Sequence, residues 1–347
     1  MNEVYMKRLL TLSILALFSF AITGQHVKSQ DLNLSYLGQK PPGITPEPFA
    51  PDIIATGYYE RDITISPDGT EIFYGILTGR HVTILYTRLA DGKWTEPEIA
   101  PFARNSQFFF LEPCFSPDGN TIYFLCTKPP EGKEPAPGWA YQNIWASDKK
   151  SDGTWGEIYN PDTAFNRPNS QFYPSLTKTG TLYFTRSDEQ TGKSEILRAK
   201  KNGNKLDTPE LLPPVINANG NIYNAFISPD ESYLIGCVDN KKNEINPGFA
   251  NYYIFFRDKN DNWNEGISFG PDINIKGSTA ISASVSPDGK YLFFSARTTS
   301  DMMKELASKN TIGALKEYLN SPQNGNYDIY WVSAGVIDNL RPKKQAH

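Results

Sequence analysis

The chain has 347 residues, a formal net charge of −4 and a sequence pI near 5.6. It carries no basic excess that could neutralise phosphates, which excludes nucleic acid as a partner. Hydrophobic residues make up 39% and aromatics 13%, with 19 Tyr and 20 Phe, a balance that suits strands better than helices.

Residues 9–22 form an apolar run behind Lys7 and Arg8. Its length and flanks predict a secretory signal peptide over residues 1–29, and it is short for a membrane span. Met6 is an alternative start, because Met6-Lys7-Arg8 is a more usual opening. Val27-Lys28-Ser29 offers a cleavage site before Gln30, and cleavage after Gly24 is the alternative. No cysteine follows the apolar run until Cys114. We therefore expect neither a lipid anchor nor stable membrane insertion, and a periplasmic or secreted monomer.

Ser66-Pro67-Asp68-Gly69 is the first copy of a turn that recurs along the chain. It returns as Ser116-Pro117-Asp118-Gly119 and Ser286-Pro287-Asp288-Gly289. Two worn copies are Thr177-Lys178-Thr179-Gly180 and Ser228-Pro229-Asp230-Glu231. Pro presets φ at the first central turn position, Asp bonds the backbone just beyond it, and Gly takes positive φ. A β-branched or aromatic run follows each turn, as in Ile72-Phe73-Tyr74 and Tyr291-Leu292-Phe293-Phe294. Each copy is a hairpin, and five hairpins about 50–60 residues apart fit a propeller.

A third apolar run follows each hairpin, exemplified by Ile84-Leu85-Tyr86 and Tyr253-Ile254-Phe255. After it comes a motif of the type Trp94-Thr95-Glu96-Pro97, repeated as Trp155-Gly156-Glu157 and Trp263-Asn264-Glu265. Each repeat thus reads as four strands, which is one blade. The last repeat has no such motif after Tyr330-Trp331-Val332. Thr45-Pro46-Glu47-Pro48-Phe49 is a spare copy, and it is expected to close the ring as the outer strand of the last blade. The predicted fold is all-β: one propeller of five four-stranded blades over residues 56–340, closed by a segment within residues 30–55, with a tail at 341–347. A sixth blade would need a hairpin that is not there. Residues 298–326 interrupt the last blade, and Met303, Leu306, Ala314, Leu315 and Tyr318 lie at helical spacing within them. Residues 129–141 are a second insert, rich in Pro and Gly and carrying Trp139.

The Ser-Pro-Asp-Gly hairpins with their Tyr-Phe strands resemble the TolB-like β-propeller repeats. The ending Asp328-Ile329-Tyr330-Trp331-Val332 is similar to that of exported propellers of the Bacteroidetes type. The resemblance covers residues 56–333. It implies that strand one of each blade runs down a central channel from the face that binds ligands. Counting four residues back from each turn's Ser or Thr gives Asp62, Glu112, Tyr173, Asn224 and Ser282. Five polar residues at one repeat position imply a polar channel mouth. Arg61 and Gln171 flank it, and Lys128, Arg186 and Arg297 end strand two near the same face. Tyr59, Phe110, Phe172 and Tyr223 add aromatic surface.

The expected function is a binding module for an envelope protein or a polar ligand such as a glycan. The alternative is a carbohydrate-active enzyme using Asp62 and Glu112 as paired carboxylates. No nucleophile elbow, metalloprotease helix motif or phosphate loop occurs, and His26, His81 and His347 are the only histidines. No cofactor and no metal are expected. Cys114, Cys126 and Cys237 show no metal-ligand spacing and read as small buried residues. Protein made in an exporting bacterial host should begin at Gln25 or Gln30 by intact-mass measurement, and an uncleaved cytoplasmic chain would rule out the export signal.

Overall fold

The computed structural model describes residues 35–161, 170–188, 190–203, 205–218, 220–239, 241 and 245–342. The signal segment therefore lies outside the described residues. No helix among them is long and apolar enough to cross a membrane.

Five antiparallel blades follow one another round a ring. Blade one comprises Tyr59–Ile65, Glu71–Thr78 and His81–Ala90, with Glu98–Ile99 outermost. Blade two comprises Phe110–Phe115, Thr121–Cys126 and Asn143–Asp148. Blade three comprises Ser170–Leu176, Leu182–Ser187, Ser194–Ala199 and Glu210–Leu211. Blade four comprises Asn221–Ile227, Tyr233–Asp239, Asn251–Phe256 and Ile267–Ser268. Blade five comprises Ala283–Val285, Tyr291–Thr299 and Asn324–Ser333.

The turns form as their chemistry requires. The Ser66 hydroxyl accepts from the amides of Thr70 and Glu71 at 3.0 and 2.9 Å and donates to Asp68 at 2.6 Å. Ser116, Ser228 and Ser286 repeat this with Asp118, Asp230 and Asp288. The Ser116 hydroxyl holds the Asp118 carboxyl below the usual range. In blade four Glu231 stands where the other turns have glycine, at φ +59°.

Outer strands are the short ones of each blade. They are two residues long and lie after the Trp-x-Glu motif, whose Trp94 instead pairs Leu89 across the preceding hairpin. Among the described residues the outer strand of blade two shows one bridge, Ala146 with Tyr159. Pro161 follows two residues later and has no N–H to donate to the ladder.

The ring is closed by Glu47–Pro48, paired with Trp331 and Tyr330 of the last blade. The Phe49 amide continues the ladder to Ile329 O at 2.8 Å. Phe49 is buried between blades five and one, its ring 5.1 Å from Trp331 and 5.0 Å from Phe293. The insert of the last blade forms two helices, Asp301–Ser308 and Ile312–Leu319, capped by Ser300 and Thr311. Met303, Leu306 and Ala314 are its buried face. Phe49→Ala should cost about 3–5 kcal/mol, the usual penalty for emptying a buried aromatic site. A denaturation midpoint equal to that of the parent would show that closure does not depend on this residue.

Candidate functional site: the polar ring of the channel

Each first strand carries a β-bulge at the predicted ring position in blades one to four, where the register jumps between Arg61 and Thr64, Leu111 and Cys114, Phe172 and Ser175, and Tyr223 and Phe226. Asp62, Glu112, Tyr173 and Asn224 sit in these bulges with φ of +58, +58, +53 and +49°. Non-glycine residues adopt this left-handed backbone at a cost of roughly 1–2 kcal/mol each. Four in one repeat position mark a shared constraint.

The constraint is a circuit of amides. The bulge releases the ring residue's N–H from its own ladder and turns it to the preceding blade. Asp62 N donates to Ser282 Oγ at 3.1 Å, and Tyr173 N to Glu112 Oε2 at 2.7 Å. Asn224 N donates to Thr185 Oγ1 at 2.9 Å, and Ser282 N to Tyr252 OH at 3.2 Å. The Glu112 amide is directed at the Asp62 carboxylate. Four of the five blade junctions are thus crossed by a hydrogen bond in the same sense. Thr185 and Tyr252 are the members that sequence reasoning missed. They lie on strands two and three, and no motif marks them.

Within the circuit lies an ion cluster. Arg61 Nε is 2.5 Å from Asp62 Oδ2, and Arg61 Nη2 is 3.2 Å from Glu112 Oε1. The guanidinium thus stands between the carboxylates of two neighbouring blades and offsets part of their repulsion. Gly75, opposite Arg61 on strand two, keeps this space open, because a Cβ there would come within 2.4 Å of Leu111. Burial pushes both carboxyls upward, and Arg61 pulls them back. At Glu112 the Asp62 charge adds to the effect of burial.

The ring lies below the surface, not at an open mouth. Its five residues are 3–7% exposed. Beneath them, Thr64, Ser175 and Ser284 help line a cavity of about 70 Å³, room for about two waters and not for a sugar ring. Of the flanking residues, Gln171 is buried, and its amide bonds Gln142 O at 3.0 Å. Arg186 turns to Glu195 at 3.1 Å, and Arg297 donates to Gly277 O at 2.9 Å, so neither joins the cluster. Phe110 packs in the core between blades one and two.

Above the ring the rim is aromatic. Tyr59 stacks on Tyr327 at 4.6 Å, and the Arg297 guanidinium lies 5.9 Å over Tyr327. Phe109 meets the half-exposed Trp139 of the blade-two insert edge-on at 5.0 Å. Lys128 lies 4.9 Å over Trp145. Among the described residues no group of three or more His, Cys, Asp and Glu side chains could hold a metal ion. Cys114, Cys126 and Cys237 are unpaired; the last two are buried, whereas Cys114 is partly exposed.

No family model matches the chain, and no curated protein matches it. Solved structures of similar course include TolB from Acinetobacter baumannii, at 15% identity and a TM-score of 0.42 over 79% of this chain. A thermostable family-43 glycoside hydrolase matches at 12% and 0.48 over 84% of this chain and 95% of its own. The periplasmic gluconolactonase of Pseudomonas aeruginosa matches at 12% and 0.39, over 68% of this chain and 65% of its own. The chain spans 57% of the TolB chain's length. Likeness at this level concerns the course of the chain and not a site.

Two further buried acids lie near the closure. Glu60 accepts from the Thr56 hydroxyl, and Asp328 from Gln323 N at 2.9 Å. Burial pushes Glu60 up to about 8 and Asp328 up to about 7. These acids keep protons in the folded chain that the unfolded chain has already released. Stability should therefore fall as pH rises from about 5 to 8, by on the order of a few kcal/mol. Urea midpoints should show this, and Glu60→Gln should flatten the curve. A parent whose stability rises over that range would refute the assignment.

Proposed function

We propose that the chain is an exported binding propeller that takes a polar ligand, with a glycan as the leading class, on the aromatic rim above the ring. One observation carries this reading. The ring carboxylates are enclosed and paired with Arg61, and Glu112 also accepts the Tyr173 amide, whereas the rim carries the half-exposed Trp139 and Tyr59, with Lys128 and Arg297 as donors. Aromatic faces with nearby hydrogen-bond donors suit sugars, which present both C–H faces and hydroxyls. Export is supported by the apolar run behind Lys7 and Arg8. An envelope protein bound on the same rim is the other form of this reading.

The enzymatic alternative has one supporting feature: Glu112 is a weakened acid beside a second carboxylate, the pairing that glycoside hydrolysis uses. An oligosaccharide array with turnover assayed in parallel separates the two. A binding module should retain at least one oligosaccharide saturably, lose affinity about tenfold in Trp139→Ala, and keep it in Glu112→Gln. Measurable turnover that drops on the order of 10²-fold in Glu112→Gln, with binding intact, would make the chain an enzyme instead.

A further inference from the structure

The third blade departs from its siblings at two places, and both face one cavity. The first is the inner turn. Blades one, two, four and five place a carboxylate there, Asp68, Asp118, Asp230 and Asp288, whereas blade three has Thr177-Lys178-Thr179-Gly180. The hydroxyls of Thr177 and Thr179 meet at 2.9 Å and replace the Ser–Asp bond, so the turn survives without its acid and gains a lysine. The second place is the loop between strands three and four. Blades one, two and four carry Asp91, Asp152, and Asp258 with Asp261 there. Blade three has a small hairpin, Lys201–Asn202 paired with Lys205–Leu206, and no carboxylate between Lys201 and Leu206. The two departures touch: a Cβ on Gly180 would lie 2.6 Å from Lys201 Cδ, so the lysine stem rests on the turn.

Between them and the Ser116–Asp118 turn of blade two opens a cavity of about 710 Å³. Leu176, Leu182, Leu206 and Tyr123 form its floor, with Thr121 and Thr179 as hydroxyl groups. Three ammonium groups, Lys178, Lys201 and Lys205, have no carboxylate within 4.0 Å among the described residues. Asp118 lines the same cavity, already engaged by the Ser116 hydroxyl at 2.5 Å and the Asn120 amide at 3.1 Å. Asp148 also borders the recess, accepting from Thr121 Oγ1 at 2.7 Å, so three lysines face two carboxylates and leave an excess of positive charge in a molecule of net negative charge.

We propose that this recess is a second binding site, for an oligosaccharide bearing carboxylate or sulfate groups, on the face opposite the aromatic rim. It does not depend on the rim being a ligand site. The apolar floor carries the sugar face, and the lysines pair with its anionic groups. The loss of acid at two separate repeat positions of one blade is the signature of that use, since the same positions elsewhere keep their carboxylates with the turns equally well formed.

Calorimetric titration of the full chain at low salt uses three probes: an oligogalacturonate, a heparin-derived oligosaccharide and uncharged maltohexaose. One of the two charged probes should bind, with affinity falling as salt rises, and its identity tells carboxylate from sulfate. Lys201→Gln/Lys205→Gln and Lys178→Gln should each weaken binding at least tenfold. All three lysines are exposed, so unchanged melting temperatures are expected and serve as the folding check. Lys93→Gln, at the position of Lys205 in blade one, and Lys259→Gln should change nothing. Trp139→Ala should leave this affinity intact, which separates the site from the rim. Absence of binding by both charged probes, equal binding of maltohexaose, or equal loss in the Lys93 and Lys259 variants would overturn the proposal.

Discussion

Everything in the ring depends on one backbone device, the left-handed residue in each of the first four inner strands. It costs conformational energy at four positions, and it frees an amide that an ordinary strand would spend within its own blade. At Asp62, Tyr173 and Asn224 that amide reaches the blade before it and finds Ser282, Glu112 or Thr185. Blade five makes the same donation to Tyr252 without a left-handed residue, because its first strand is only three residues long and Ser282 precedes it. Apolar packing between blades is non-directional and would tolerate a range of tilts. The amide circuit fixes one.

The junction between blades five and one carries the extra burden of closure. The chain is joined there by pairing and not by a covalent link from strand to strand, so the fit must come from Phe49, Phe293 and Trp331. Asn324 and Asn326 add bonds to Gly57 O at 3.0 and 2.9 Å. Gly57 has no room for a side chain, since a Cβ would come within 2.0 Å of Leu319 O. The helical insert is thus tied to the start of blade one and braces the junction from outside.

The circuit also decides where chemistry can occur. Asp62 and Glu112 flank the Arg61 guanidinium, and Glu112 also accepts an interblade amide, so both are occupied by structure. Residues free of that duty lie at the two ends of the channel axis: the aromatic rim and the lysine-lined recess between blades two and three. Function on this frame follows from what each blade adds to its loops, which is how repeat folds vary their binding surfaces.

The sequence by itself determined the hairpins, their number and the closing strand, because turn chemistry and strand alternation act over a few residues and repeat five times. The polar register at Asp62, Glu112, Tyr173, Asn224 and Ser282 was legible for the same reason. Tertiary structure alone decided that these residues are buried and wedded to the neighbouring blade, that Arg61 stands between Asp62 and Glu112, and that Arg186 and Arg297 turn elsewhere. It also decided that the two acid-free stretches of blade three, some twenty residues apart in the chain, meet over one cavity. A repeat pattern gives the position of a residue within its own blade. Which atom it meets across the junction depends on how the bulges set one blade against the next, and no local pattern encodes that distance.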